Sequence, residues 1–137
     1  MPNPVNVLPD AELALIQYLK ARTEITALIP AARITTALPP QPTFPCVTVT
    51  RMGGSALVWQ RIDEADFQVD VWGGSRFDCN TLARTVRACI MSIRNDTVSA
   101  GVLVSASEIV GMQWMPDDVT VPPTSRFVGR FSVLIHP

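Results

Sequence analysis

The chain has few of the residues from which catalytic and metal centres are built. Its 137 residues include one histidine, His136, and three cysteines, Cys46, Cys79 and Cys89. The cysteines form no Cys-x-x-Cys pair and have no histidine partners, so the spacing of a zinc site is missing. We interpret all three as reduced thiols that fill small apolar spaces. The sequence therefore predicts neither a metal site nor a cofactor.

Charge is also scarce. Charged residues make up 17% of the chain, hydrophobic residues 47%, and the net charge is −1. Because the basic residues are dispersed, no field is present that would hold a nucleic acid, and we predict no specific nucleic-acid binding. The apolar surplus instead leaves surface area that a partner protein can cover.

Long apolar runs are missing as well. A membrane helix requires about 18 consecutive apolar residues, and no run approaches that length. The start, Met1-Pro2-Asn3-Pro4, lacks the basic and apolar parts of a signal peptide. We expect a soluble protein that is made in the cytosol and has no membrane partner. By length it is one domain, residues 1–137, in which residues 1–8 form an extended arm.

No catalytic motif is present. Gly53-Gly54 and Gly73-Gly74 are followed by neither phosphate-binding pattern, so a turn and a strand-to-helix joint are favoured. The serines lack Gly-x-Ser-x-Gly surroundings and a histidine to activate them. His136 lies at the end of an alternating strand, where a solvated edge residue is far commoner than an acid or base. We predict that the chain is not an enzyme.

A cluster of four acidic residues suggests a possible metal site. Asp63, Glu64, Asp66 and Asp70 offer the oxygen ligands that Mg²⁺ and Ca²⁺ prefer. Asp66 and Asp70, however, occupy the polar positions of an alternating strand, and the glycine pattern of a calcium loop is missing. A solvated strand face is therefore the favoured interpretation.

Apolar spacing predicts two main helices. Asp10 suits the N-cap of the first, which ends near Arg22 and is followed by a short turn over residues 23–29. Ser75-x-x-Asp78 is a capping box that opens the second, which runs to about Asn95. Their apolar stripes are Leu13, Ile16 and Leu19 in the first, and Cys79, Leu82, Val86, Ile90 and Ile93 in the second.

Period-two alternation predicts the strands. They are a weak strand over Arg33–Thr36, then Cys46–Arg51, Ala65–Trp72, Val102–Met115 with a bulge at Gly111, and Arg126–His136. We expect Gly53-Gly54 to reverse the chain after the second strand, Ser55–Glu64 to form an extended hairpin tip, and the last two strands to pair. The predicted fold is α+β, with an antiparallel sheet of about four to five strands and two main helices packed on one face.

Tryptophans stand near the ends of three predicted strands. Trp59, Trp72 and Trp114 can each close the core or contact another subunit, since aromatic residues dominate both settings. For Trp59 and Trp114, core closure and contact with another subunit are equally well supported.

Five segments follow one another in a recognisable order. They are Pro-Cys-Val-Thr-Val-Thr-Arg-Met-Gly-Gly (45–54), Phe-Gln-Val-Asp-Val-Trp (67–72), the helix 82–93, Gly-Met-Gln-Trp-Met-Pro-Asp (111–117) and the closing strand 126–137. This order resembles that of the tail terminator and head-tail connector (neck) proteins of long-tailed phages, and the likeness covers nearly the whole chain.

The resemblance implies a structural virion protein at the tail-neck junction. Copies of the chain would form a ring, expected to be a hexamer, that caps the tail tube and joins it to the neck. Its partners would be further copies, the tail tube protein and a neck or head-completion protein, while DNA would pass through without specific binding. The implied contact regions are the N-terminal arm, the hairpin tip and the loop after the fourth strand, with candidate residues Leu57, Trp59, Arg61, Trp114, Pro116, Asp117 and Pro122.

Two alternatives stay open. A head-completion or stopper protein has similar size and partners, although the Asp-Val-Trp-Gly-Gly joint (70–74) favours the terminator. A small ligand-binding α+β domain would need a pocket with convergent polar groups, and the sequence supplies no such set.

Overall fold

The computed structural model describes residues 2–119 and 123–137. In these residues the helices are α1 (Ala11–Lys20), α2 (Thr23–Thr26) and α3 (Arg76–Met91), with a 3₁₀ turn at Ala31–Arg33. The strands are β1 (Ile34–Thr35), β2 (Cys46–Leu57), β3 (Ile62–Trp72), β4 (Arg94–Val98), β5 (Gly101–Trp114) and β6 (Arg126–His136).

The strands form one mixed sheet in the order β1-β2-β3-β6-β5-β4. β1 pairs with β2 in parallel, and the other neighbours pair antiparallel. The α+β class is confirmed. The predicted sheet of four to five antiparallel strands is wrong in detail, because β4 completes six strands and β1 runs parallel. Likewise, α2 is a third short helix beside the two main ones.

Helix α3 follows its sequence signals closely. Ser75 is the N-cap, and its Oγ accepts a hydrogen bond of 3.0 Å from the Asp78 amide. All five residues of the predicted stripe are buried. The helix ends at Met91 instead of Asn95, because Ser92 forms its C-cap and Asn95 adopts a left-handed φ of 51°.

Helix α1 packs beside α3 on the same face of the sheet. Asp10 caps it by accepting a hydrogen bond of 3.1 Å from the Leu13 amide. The Tyr18 hydroxyl donates to the Cys89 carbonyl at 2.7 Å and so connects α1 to α3. Leu13 is 44% exposed, so the predicted stripe is wrong there. The buried face runs instead through Ala11, Ala14, Leu15, Ile16, Tyr18 and Leu19.

The β2–β3 hairpin is longer than the sequence predicted. Gly53-Gly54 does not reverse the chain: β2 continues through it to Leu57, and a register shift between Arg51 and Gly53 marks a bulge. Glycine suits a bulge for the same reason that it suits a turn, since it accepts positive φ. The chain reverses at residues 58–61, within the predicted tip.

The pairing of β5 with β6 is confirmed, and so is the irregularity at Gly111, because the register shifts between Val110 and Gln113. β6 lies between β3 and β5. His136 is therefore half-buried at the end of an interior strand, not on an edge strand as expected.

Candidate assembly surfaces

The candidate contact residues divide between the two ends of the sheet. We call the end at the β2–β3 turn the tip end, and the opposite end, where β3 and β5 finish, the loop end. The eleven residues of β3 separate them by roughly 35 Å at about 3.3 Å per residue. Leu57, Trp59 and Arg61 lie at the tip end, Trp114, Pro116 and Asp117 lie at the loop end, and Pro122 lies outside the described residues.

At the tip end, Trp59 projects into solvent. Its side chain is 90% exposed, and those of Val58 and Leu57 are 61% and 37% exposed. The turn is closed by a hydrogen bond of 3.1 Å from the Arg61 amide to the Leu57 carbonyl. Within its own subunit, Trp59 therefore plays no part in closing the core.

The backbone of the tip is strained. Val58, Trp59 and Gln60 have φ values of 49°, 56° and 60°, which is the left-handed region. Each non-glycine residue in that region costs about 1–2 kcal/mol. Strain of this kind persists where the surrounding structure enforces it, and it concentrates at functional sites. Here it holds one aromatic and one β-branched side chain out in water.

An ion pair between a partly exposed arginine and a buried carboxylate holds the base of the tip. Asp63, at the start of β3, is 2% exposed. Its carboxylate accepts two hydrogen bonds, of 2.5 and 2.6 Å, from the guanidinium of Arg51 on β2. The Arg51 amide donates in turn to Glu12 Oε2 of α1 at 2.8 Å. The first turn of α1 is thus attached to the hairpin.

Two of the acidic residues of β3, Asp63 and Asp70, are structural and not simply solvated. Asp70 is only 7% exposed, so its predicted solvation is wrong. Arg126 Nη2 donates to Asp70 Oδ2 at 2.7 Å, and Gln68 donates to Oδ1 at 3.0 Å. Because β3 and β6 are neighbours, strand pairing supplies the cation that makes this burial tolerable. In the described part of the chain, no group of three or more His, Cys, Asp or Glu is arranged to bind a metal.

At the loop end, Trp114 packs against its own subunit. Its ring meets Phe127 edge-on, with centroids 5.2 Å apart, and the guanidinium of Arg76 lies 4.4 Å above it. Asp117 exchanges backbone hydrogen bonds of 2.9 and 3.1 Å with Thr124. The loop therefore begins as a short continuation of the antiparallel pairing between β5 and β6.

Other apolar side chains are more exposed at the loop end than the predicted ones. Phe77 is 77% exposed, Met115 48% and Val119 91%. Phe77 was missed, although the sequence carried a signal. It lies off the apolar stripe of α3, so a large aromatic residue there had to face solvent.

The N-terminal arm borders the tip end. Residues 4–8 of the arm form one wall of a groove of about 660 Å³. The other lining residues are Val58, Gln60, Arg61, Ile62 and the C-terminal His136 and Pro137. Val5 and Val7 are 88% and 86% exposed. The arm therefore adds further uncovered apolar area to the same end as Trp59.

The three cysteines are free and buried, as predicted. Burial raises the pKa of Cys46 and of Cys79 to about 11, and it also raises the pKa of Cys89. Since the thiolate is the reactive form, these thiols are inert at neutral pH. None of the helices in residues 2–119 and 123–137 is long and apolar enough to span a membrane.

Comparison with known proteins finds a solved structure of similar fold and a family model that matches the sequence. A chain of a solved structure titled "Virion of native gene transfer agent (GTA) particle" matches with a TM-score of 0.64 and 18% identity, over 93% of this chain and 95% of that chain. At that identity the likeness shows the fold alone. No curated protein matches. The family model "Tail completion protein gp17" matches residues 13–130. Because that match spans most of the sequence, the chain belongs to the tail completion protein gp17 family of phages.

Proposed function

We propose that this protein is a tail terminator, a structural virion protein whose copies form a ring, expected to be a hexamer, on the head-proximal end of the tail tube. The ring ends tube growth and offers its other face to the neck. Membership in a family of tail completion proteins supports a structural role in the tail. The proposal assigns the chain no catalytic role and no cofactor.

The observation that carries the proposal is the pair of unlike apolar surfaces at opposite ends of the sheet. The tip end presents Leu57, Val58 and Trp59, and the loop end presents Phe77 and Met115. A ring needs heterologous contacts, in which one patch of a subunit binds a different patch of the next. Two distinct patches about 35 Å apart meet that requirement, whereas a two-fold dimer would need only one self-complementary patch.

The charge distribution suits a ring through which DNA passes. The face of the sheet opposite the helices carries Asp70 paired with Arg126, and the net charge of the chain is −1. A lining that neutralised many phosphates would bind DNA and release counterions, so it would retain the DNA. A surface on which positive and negative charges balance does not retain DNA in this way.

A ligand-binding module is less well supported. The groove at the tip end is lined mainly by apolar and uncharged residues, and its only ionisable side chains are Arg61 and His136. Ligand sites use a few convergent polar groups to fix orientation, and these two residues do not supply such a set. A head-completion or stopper protein remains the second candidate, since it would share the assembly surfaces and differ in its partner.

Light scattering and negative-stain microscopy of the purified protein test the proposal. We expect a concentration-dependent rise from the subunit mass of 14.9 kDa to one discrete oligomer that appears as closed rings. A protein that stays monomeric with and without tail tubes, and whose melting temperature rises with a small ligand, would refute the proposal. Binding to portal or neck complexes without binding to tubes would favour the stopper.

A further inference from the structure

The outer edge of β2 is open over more than half its length. β1 pairs with β2 only at Val47 and Thr48. Within the described residues, no strand pairs with the outer side of residues 49–57, and residues 52–57 are all exposed. An exposed edge of this kind offers unpaired amide and carbonyl groups to another chain.

This edge also lacks the usual protection. Proteins guard exposed edges with charged side chains, with proline or with a covering segment. The Arg51 amide is covered, because it donates to Glu12. Beyond it the sequence is Met-Gly-Gly-Ser-Ala-Leu (52–57), with no charge and no proline. The Arg51 side chain also donates to the Gly53 carbonyl at 3.0 Å, so protection ends at Gly53 and the last residues of the edge are unprotected.

The N-terminal arm has the properties of an unpaired strand. Residues 2–8 form no helix or strand. Val5 and Val7 alternate with Asn6, and both valines are more than 85% exposed, at 88% and 86%. Such alternation is the pattern of a strand with one apolar face. Pro4 and Pro9 limit the segment to Val5–Leu8, which is within the length of short natural strands.

The arm cannot pair with the β2 edge of its own subunit. Pro9 lies against Gly101 at the start of β5, and residues 4–8 line a groove together with Val58 and Gln60 of the tip. The distance across the sheet from β5 to β2 is three strand spacings, or about 14 Å. Five extended residues span about 16 Å. Residues 4–8 are therefore used in crossing the sheet and cannot also run along β2.

We propose that Val5–Leu8 of one copy adds as a strand to the β2 edge, Met52–Leu57, of a neighbouring copy. Backbone hydrogen bonds would supply affinity, as in other strand additions. The edge is open at Gly53, where a Cβ would meet no atom within 4 Å, so an added strand meets no steric obstacle there. The inference rests on the proposed ring, because it names one of the contacts between ring neighbours.

Disulfide trapping tests this contact, because the native thiols are buried and only introduced ones can react. Two singly substituted proteins, Asn6→Cys and Ser55→Cys, are mixed and oxidised. We expect a covalent heterodimer on a non-reducing gel, forming at least about tenfold faster than with the control mixture of Asn6→Cys and Ser107→Cys, since assembly raises the effective concentration of the thiols. Ser107 is an exposed residue of β5 and lies away from the edge. Equal rates in the two mixtures would overturn the inference.

The variant Val5→Asp/Val7→Asp separates this inference from the proposed function. The substituted side chains are exposed, so the melting temperature should stay unchanged while ring formation weakens. Rings that form equally well with this variant, and without the heterodimer, would refute the strand addition and leave the terminator standing. Formation of the heterodimer by the cysteine variants, together with the failure of the wild-type protein to form rings even with tubes, would refute the terminator alone.

Discussion

Replacing Trp59 with glycine should change stability and assembly in opposite directions. The side chain is 90% exposed, so its removal costs little packing within the subunit. Its φ of 56° is costly for tryptophan and free for glycine. If the tip is a contact surface held in a strained conformation, Trp59→Gly should relieve the strain and lose the contact.

The expected stability gain can be worked out from the backbone. Relief of one left-handed residue returns about 1–2 kcal/mol, and the extra freedom of glycine in the unfolded chain takes back about 0.5–1 kcal/mol. The net gain is about 0.75 kcal/mol at the midpoints of these ranges, within limits of about 0–1.5 kcal/mol, or a rise of roughly 3 °C in melting temperature for a domain of this size.

The expected loss of assembly is larger. An aromatic anchor buries about 150–250 Å² at an interface, and truncation of such an anchor typically costs about 2–4 kcal/mol. Each contact between neighbours should therefore weaken by roughly 30-fold to 1,000-fold. At micromolar concentration the ring should give way to monomers.

Two assays on the same samples separate these effects. Urea denaturation of dilute protein gives the free energy of unfolding, and light scattering over a concentration series gives the oligomer mass. Gln60→Gly is the matched control. Its φ of 60° predicts the same stability gain, but it retains the tryptophan and should assemble normally. Normal assembly of Trp59→Gly, or a subunit destabilised by more than about 1 kcal/mol, would refute the reasoning.

Three further predictions follow from the polar groups and the thiols. Arg51→Met should lower the free energy of unfolding by about 2–3 kcal/mol, because it leaves the buried Asp63 carboxylate unpaired. The expected loss is smaller than the loss for fully buried ion pairs, since Arg51 is partly exposed. Urea denaturation would contradict it if Arg51→Met matched wild type. Glu108→Gln should slightly lower the denaturation midpoint at pH 7. A hydrogen bond from Arg87 lowers the pKa of Glu108 below its usual value, so the contribution is present at neutral pH and disappears as the pH falls through that lowered pKa. A loss that did not shrink as the pH was lowered into the acid range would be inconsistent with this origin. Native protein should show no thiol reactive with Ellman's reagent and three after denaturation, and prompt labelling of the native fold would contradict the inert state of Cys46, Cys79 and Cys89.

Sequence reasoning succeeded where the signal was local. The capping box at Ser75 and the spacing of the α3 stripe depend on residues within one helix. The alternation of β6 likewise gave its bounds, Arg126–His136, as the structure has them. The reversal of the chain at residues 58–61 lies within the predicted tip, although the sequence left open whether Trp59 closes the core or contacts another subunit.

Sequence reasoning failed where pairing between distant parts of the chain determined the local structure. The segment Arg-Asn-Asp-Thr-Val (94–98) has no alternation and becomes β4 only because β5 is beside it. Asp70 was expected to be solvated, since its partner Arg126 lies 56 positions away along the chain. Gly53-Gly54 is compatible with a turn or a bulge by its local chemistry, and only the register of β2 against β3 selects the bulge.

The central claim is that this subunit closes the tail tube through its exposed ends. Electron microscopy of tail tube protein polymerising with and without this protein tests it most directly. We expect tubes of limited length with one ring of added density at a single end, and unrestricted growth when Trp59→Gly replaces the wild-type protein. Tubes of equal length and with bare ends in the presence of excess wild-type protein would contradict the claim.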